Sequence, residues 1–184
     1  MKTIVVAVCG LANTGKNTVG DILVREYGFI PLDYTQDVLG PMLEKKGKAV
    51  VRENLSALAT ELRRTEGPAI LTELLTEKIH GNSVITGLRA KEEAKYLRKR
   101  FGKCFFLIGV VVDPEIRYQR AVERNAKGEG KLNLKQFLEK DRLPTELLIA
   151  ETIAGADFLI DNNGTEKELE RTVAAVAARM GLKN

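Results

Sequence analysis

Apolar runs alternate with amphipathic stretches along the whole chain. Residues 3–9 are nearly all apolar and rich in Val, which predicts a strand buried on both faces, as in a parallel sheet. Helical periodicity follows over 15–27 and stops at Gly28. A short strand is predicted over 29–32, then a helical stretch over 33–46 interrupted near Gly40-Pro41. Two helices are expected over 52–65 and 68–80, the second with Pro68 in its first turn and Gly81-Asn82 after it.

The second half continues the alternation. Strands are predicted over 83–86, 104–112 and 158–160. Between them lie a charged helix over 90–101 and a helix over 115–125, with Asp113 as N-cap and Pro114 at the first position. Residues 126–132 read as a Gly/Lys-rich loop, and 134–154 as mostly helical with a bend or break at Pro144. Asn162-Asn163-Gly164 forms a turn, and Thr165 caps a last helix reaching about Met180. Strand–helix alternation of this kind predicts a single α/β domain around a parallel sheet of about five strands.

Composition narrows the function classes. The 184 residues are 44 % hydrophobic and 29 % charged, an ordinary globular balance. The net charge is +4 and the pI about 9.0, which suits phosphate-rich partners. Trp is absent and aromatics are only 5 %, against base-stacking recognition of single-stranded nucleic acid. The basic stretch from Lys95 to Arg100 reads as a solvated helix end. Cys9 and Cys104 both fall in predicted buried strands, with no spacing for a disulfide framework or a zinc site. The single histidine, His80, is expected to cap a helix C-terminus. No apolar run approaches a membrane span, and the short N-terminal run leads into a Gly-rich turn rather than a cleavage site. A cytoplasmic protein is expected, with no membrane or nucleic-acid partner.

Candidate chemistry sits where the first strand meets the first helix. Gly10-Leu11-Ala12-Asn13-Thr14-Gly15-Lys16 places four residues between two glycines and a lysine after the second. This is the phosphate-loop pattern in its required strand–turn–helix context. Glycines let the backbone turn its N–H groups inward onto an anion, and the helix N-terminus adds positive potential. Lys16 is positioned to neutralise the β- and γ-phosphates. The hydroxyl residue that normally follows the lysine and ligates Mg²⁺ is replaced by Asn17, with Thr18 next. Either the Asn17 carboxamide holds Mg²⁺, directly or through water, or substrate oxygens and water hold it while Thr18 caps or packs.

Further along are Gln36-Asp37-Val38, Leu62-Arg63, Glu66-Gly67-Pro68, Thr86-Gly87-Leu88-Arg89 and Glu92-Glu93. Arg117 with Arg120, Asp141-Arg142, and Ala156-Asp157-Phe158 through Gly164 follow. With the phosphate loop, these make the chain resemble the P-loop nucleoside monophosphate kinase superfamily from Ile4 to about Val176. More closely, it resembles archaeal adenylate-kinase-related and dephospho-CoA-kinase-like proteins.

The resemblance implies a three-layer P-loop NTPase fold with acceptor-binding helices over about 34–80 and a short lid over about 125–143. It implies ATP and Mg²⁺ as cofactors and γ-phosphoryl transfer to a small nucleotide or nucleotide-like acceptor. Donor phosphates would lie on Gly10, Asn13, Thr14, Gly15, Lys16, Asn17 and Thr18, and the donor base near Asn162, Asn163 and Gly164. Asp37, Arg63 and Arg89 would face the acceptor, and Arg142 would close over the transferring group, which Arg120 joins where its own helix reads as part of the lid. Thr86 stands where many relatives have Asp.

Other readings of these residues stay open. Asp37 also reads as a first-turn carboxylate, and Arg63 as a solvent pair. Arg117, Arg120 and Arg124 share a helix face by spacing and read with the following loop as a basic lid or as a solvated face. Dephospho-CoA kinase activity, or a nucleotide-binding regulator without chemistry, are the alternatives. A nucleic-acid-binding ATPase rests on pI alone. Either a monomer or a homodimer is compatible with the sequence.

Overall fold

The computed structural model describes residues 3–124 and 133–183. Five strands make one fully parallel sheet: β1 (Val5–Cys9), β2 (Ile30–Leu32), β3 (Ser83–Thr86), β4 (Phe105–Val111) and β5 (Phe158–Asp161). Their order is β2-β3-β1-β4-β5. β1 pairs on both sides, Val5 lying opposite Ser83 on one edge and Phe105 on the other. All five of its residues are buried, which is why it reads as an unbroken apolar run.

Alternation along β1 sends its side chains to two separate cores. Val5, Ala7 and Cys9 pack with Leu39, Leu71 and Leu97 on one face, whereas Val6 and Val8 pack with Val19, Leu23 and Val173 on the other. The helices forming these layers are α1 (Lys16–Tyr27), α2 (Gly40–Lys45), α3 (Arg52–Glu66), α4 (Ile70–Thr76) and α5 (Lys91–Phe101). They continue as α6 (Pro114–Arg124), α7 (Leu134–Lys140), α8 (Pro144–Ile153) and α9 (Glu166–Arg179). No helix among the described residues is long and apolar enough to cross a membrane.

Several boundaries differ from the sequence-based expectation for identifiable reasons. The interruption near Gly40-Pro41 is a change of winding: Tyr34–Leu39 forms a widened π-type turn before α2 begins. α4 is shorter than the predicted 68–80. Gly67 at φ 109 keeps its start back, and three-residue turns from Glu77 to Ile79 end it. That unwinding brings Ile79 onto the core and leaves His80 exposed four residues past the helix, so His80 caps nothing there. Cys104 is half-buried in a single 3-10 turn before β4 rather than inside a strand. The stretch predicted over 134–154 is two helices, because the chain is extended at Leu143 and Pro144 opens α8. The core of the predicted lid, residues 125–132, lies outside the described residues.

Candidate functional site

The turn between β1 and α1 has the curl that an anion cradle requires. Asn13 (φ 62) and Gly15 (φ 83) both adopt left-handed backbone, which Gly accepts without strain and Asn tolerates. Thr14 is buried, and its hydroxyl donates to the Leu11 carbonyl at 2.9 Å. Lys16 donates from Nζ to the same carbonyl at 3.3 Å.

Both glycines are required by close neighbours. A Cβ on Gly10 would lie 2.6 Å from Thr14 Oγ1 and 2.9 Å from the Val110 carbonyl oxygen. A Cβ on Gly15 would overlap the side-chain amide of Asn162. That amide donates to the Thr14 carbonyl at 2.9 Å, so the end of β5 braces the loop from behind.

Two hollows flank the loop. One is a cleft of about 310 Å³. Its floor is Gly10, Ala12 and Lys16, and one wall is Gly87, Leu88 and Arg89 beyond β3. Arg52 opens α3 at one side, and Phe137, Lys140 and Asp141 come from α7 and the turn after it. Leu143, Glu146 and Ile149 complete the wall at α8. The other hollow, about 290 Å³, is lined by Asn13, Gly15, Thr18, Arg120, Arg124, Asn162 and Gly164, with Glu166 and Leu169. Adjacent loop residues, Gly15 and Lys16, therefore look into different hollows.

The residues singled out in the sequence separate into groups. Gly10, Lys16 and Arg89 line the cleft, while Asn13, Gly15, Thr18, Arg120, Asn162 and Gly164 line the second hollow. Arg120 donates to the carbonyls of Asn162 (2.8 Å) and Gly164 (3.4 Å), tying α6 to the turn after β5. Asn163 accepts from the Asp113 N–H at 2.8 Å and fastens that turn to the start of α6. Asn17 is exposed on α1 and lines neither hollow.

Others sit away from both. Asp37 accepts from the Asp33 N–H at 2.7 Å, while Asp33 accepts from Thr35 and Gln36, a reciprocal cap on the π-type turn. Arg63 lies 3.6 Å from the buried carboxylate of Glu93. Arg142 is exposed in a shallow groove with Leu134 and Leu138. Arg117 does not share a solvated face with Arg120 and Arg124. It is 2 % exposed, forks onto both oxygens of Asp141, and stacks on Phe137 at 5.6 Å.

Glu93 organises the wall that carries Arg89. Its Oε2 accepts from the N–H groups of Arg89 (2.9 Å) and Ala90 (3.0 Å). Nearby Tyr34 shares a hydrogen bond of 3.0 Å with Thr72. Burial first, and then the charge of Glu93, pushes its phenol far above the ordinary range. In β1, burial lifts the Cys9 thiol from 9.0 to about 12, leaving it an inert hydrophobe.

Sequence reasoning did not single out Arg52, Lys140 or Glu146. The available signal was Arg52 in a helix first turn, where the dipole disfavours a cation. Glu146 looks like an ordinary first-turn acid, and Lys140 like an ordinary last-turn base. Among the described residues no group of three or more His, Cys, Asp and Glu is arranged to hold a metal ion.

A phosphate loop at the end of a central strand in a five-stranded parallel sheet defines the P-loop kinase fold. The chain belongs to the family described as AAA domain, whose profile matches residues 6–142. A UPF0200 protein of Aeropyrum pernix is 36 % identical over 95 % of this chain and 94 % of its own length. A UPF0200/UPF0201 protein of Archaeoglobus fulgidus is 27 % identical over 96 % of this chain and 55 % of its own. Among solved structures, a gluconokinase from Sinorhizobium meliloti superimposes with TM-score 0.58 at 14 % identity, covering 97 % of this chain and 93 % of that one. A shikimate kinase from Bacteroides thetaiotaomicron gives 0.55 at 18 %, covering 98 % and 99 %. At these identities the likeness is one of fold.

Proposed function

We propose that the protein is an ATP- and Mg²⁺-dependent phosphotransferase that moves the γ-phosphoryl group to a nucleotide or nucleotide-like acceptor. One observation carries this reading: the phosphate loop separates two hollows, and Lys16 faces the larger one. The nucleotide base would lie in the hollow beside Asn162 and Arg120, with its phosphates threaded over the loop towards Lys16. The acceptor would enter the cleft from the side of Arg52 and Arg89. The reacting atoms then meet at Lys16.

The chain's own groups supply orientation and charge. Backbone N–H groups of the loop bind the donor phosphates, and the N-terminus of α1 adds positive potential. Lys16 neutralises charge gathering on the transferring group. Mg²⁺, when bound, would supply charge neutralisation at the phosphates. With no carboxylate cluster among the described residues, it would take its ligands mainly from phosphate and water, with Thr18 or Asn17 supplying any protein oxygen.

The charge of the cleft favours a phosphate-bearing acceptor: Arg52, Arg89 and Lys140 line it with Lys16. A hydroxyl acceptor must also lose a proton, which calls for a nearby base. Asp141 is held by the buried Arg117, so among the lining residues Glu146 is the acid left for that task. A phosphate oxygen is already ionised and needs no base, and on that ground a nucleoside monophosphate ranks above dephospho-CoA, whose acceptor group is a ribose hydroxyl.

The test is ADP release with nucleoside and deoxynucleoside monophosphates and dephospho-CoA as acceptors. Turnover with a monophosphate supports the proposal, and turnover with dephospho-CoA alone would replace it. ATP binding without transfer to any acceptor would point to a nucleotide-binding regulator. The protein is expected to act in the cytoplasm, as a monomer or homodimer, without nucleic acid or membrane.

A further inference from the structure

We infer that Glu146 occupies the seat of the acceptor's anionic group, and that Arg89 and Arg52 are the cations that receive this group when it displaces Glu146. The inference rests on the phosphotransferase reading and adds a displaceable carboxylate and a second arginine to it.

Arg89 and Glu146 meet inside the cleft, Nη1 to Oε1 at 2.7 Å. A carboxylate and a phosphate present the same paired oxygens to a guanidinium fork. Glu146 therefore imitates the ligand that Arg89 is placed to bind. The pair is open to water, with side-chain exposures of 48 % and 18 %, and an ion pair in that setting is weakly held.

The cleft's other carboxylate behaves differently. Asp141 receives both arms of the buried Arg117. Removing such a partner would strand a buried charge, so this pair is fixed. Of the two acids, only Glu146 is held by an exposed arginine and can yield it.

Arg52 supplies the second cation. It lines the same cleft, is exposed, and has no ion pair among the described residues. Its place in the first turn of α3 sets it against the helix dipole, which gains the fold nothing. An anion arriving between Arg52 and Arg89 would satisfy both arginines. Glu146, anchored on α8, satisfies Arg89 alone.

The opposite possibility is that Glu146 is a static tie that aims Arg89. The two differ in the sign of one substitution. Inorganic phosphate is the probe, followed by ³¹P NMR titration with the phosphate loop first saturated by ADP. If Glu146 is a competitor for the seat, Glu146→Gln tightens phosphate binding roughly two- to fivefold. Arg52→Ala and Arg89→Ala each weaken it about tenfold. Unchanged or weaker binding in Glu146→Gln overturns the competitor role, and unchanged binding in Arg52→Ala removes Arg52 from the seat. ADP binding is read first. If the wild-type chain binds no ADP, the phosphotransferase reading falls and takes this inference with it. If ADP binds and Glu146→Gln fails to tighten phosphate, this inference alone is lost.

Discussion

Asn162 and Thr14 are joined by a hydrogen bond of 2.9 Å between residues 148 positions apart, the Asn162 side-chain amide donating to the Thr14 carbonyl. Both are buried, and the space taken by the amide is the space that Gly15 leaves by having no side chain. The phosphate loop is thus shaped from outside itself. Asn162→Ala would leave a buried carbonyl unpaired, a loss of about 1–3 kcal/mol. Thermal unfolding should show the midpoint falling by roughly 2–4 °C per kcal/mol. ADP affinity should fall as well. A variant melting like wild type with undiminished ADP affinity would show that this bond does not brace the loop.

Lys16 is predicted to act on transfer more than on folding. It is half-buried in the loop and donates to the Leu11 carbonyl. Lys16→Ala should reduce phosphoryl transfer at least about a hundredfold, because its charge acts in the transition state. Unfolding midpoints should move little. Turnover that survives on the true substrate pair would refute the mechanism.

Arg117 and Asp141 hold α7 on α6 through a buried fork, with Phe137 stacked beneath the guanidinium. Removing one partner strands the other. Asp141→Ala should lower stability by about 3–5 kcal/mol in urea unfolding, because it leaves the buried Arg117 guanidinium without its acid. Replacing both, Arg117→Met with Asp141→Leu, should restore much of the loss. Additive losses in the double variant would argue against the pair acting as a unit.

Cys9 gives a pH prediction whose sign follows from its raised thiol pKa. Between 9.0 and about 12 the unfolded chain loses the thiol proton while the native chain keeps it. Stability from this group is therefore complete below pH 9 and declines by about 1.4 kcal/mol per pH unit through that window. Cys9→Ala should show a shallower alkaline decline than wild type in urea midpoints between pH 9 and 10.5. Parallel declines would mean the thiol titrates normally.

Arg63 and Arg89 looked alike in the sequence, each an arginine suited to an acceptor phosphate. Their surroundings separate them. Arg89 lines the cleft, whereas Arg63 faces Glu93, which in turn holds the backbone of Arg89. Arg89→Ala should raise the acceptor KM by about tenfold or more. Arg63→Ala should raise it less, and should mainly lower stability. Equal effects on KM would place Arg63 in the cleft.

The fold was legible because its signals are local. β1 is apolar throughout because it is paired on both sides, and α1 is bounded by Gly15 and Gly28, both left-handed. The phosphate loop could be read for the same reason: its glycines, lysine and flanking elements fall within a few residues. The cleft was harder, since its walls meet only in space. Arg52, Lys140 and Glu146 come from three separate helices, and each has an ordinary local role. Asp37 and Arg117 show the converse. The family resemblance marked Asp37 and spacing marked Arg117; the first-turn reading of Asp37 was open in the sequence, but the burial of Arg117 on Asp141 was not.

Gly15 and Lys16, neighbours in sequence that open onto different hollows, also bear on traffic. If the two hollows on either side of the loop take donor and acceptor as proposed, neither substrate needs to queue behind the other. Donor and acceptor would then arrive in either order, and one product would depart while the other stays. Initial-rate patterns should therefore be sequential with random addition, and crossed inhibition by leftover product should appear as a trapped mixed complex.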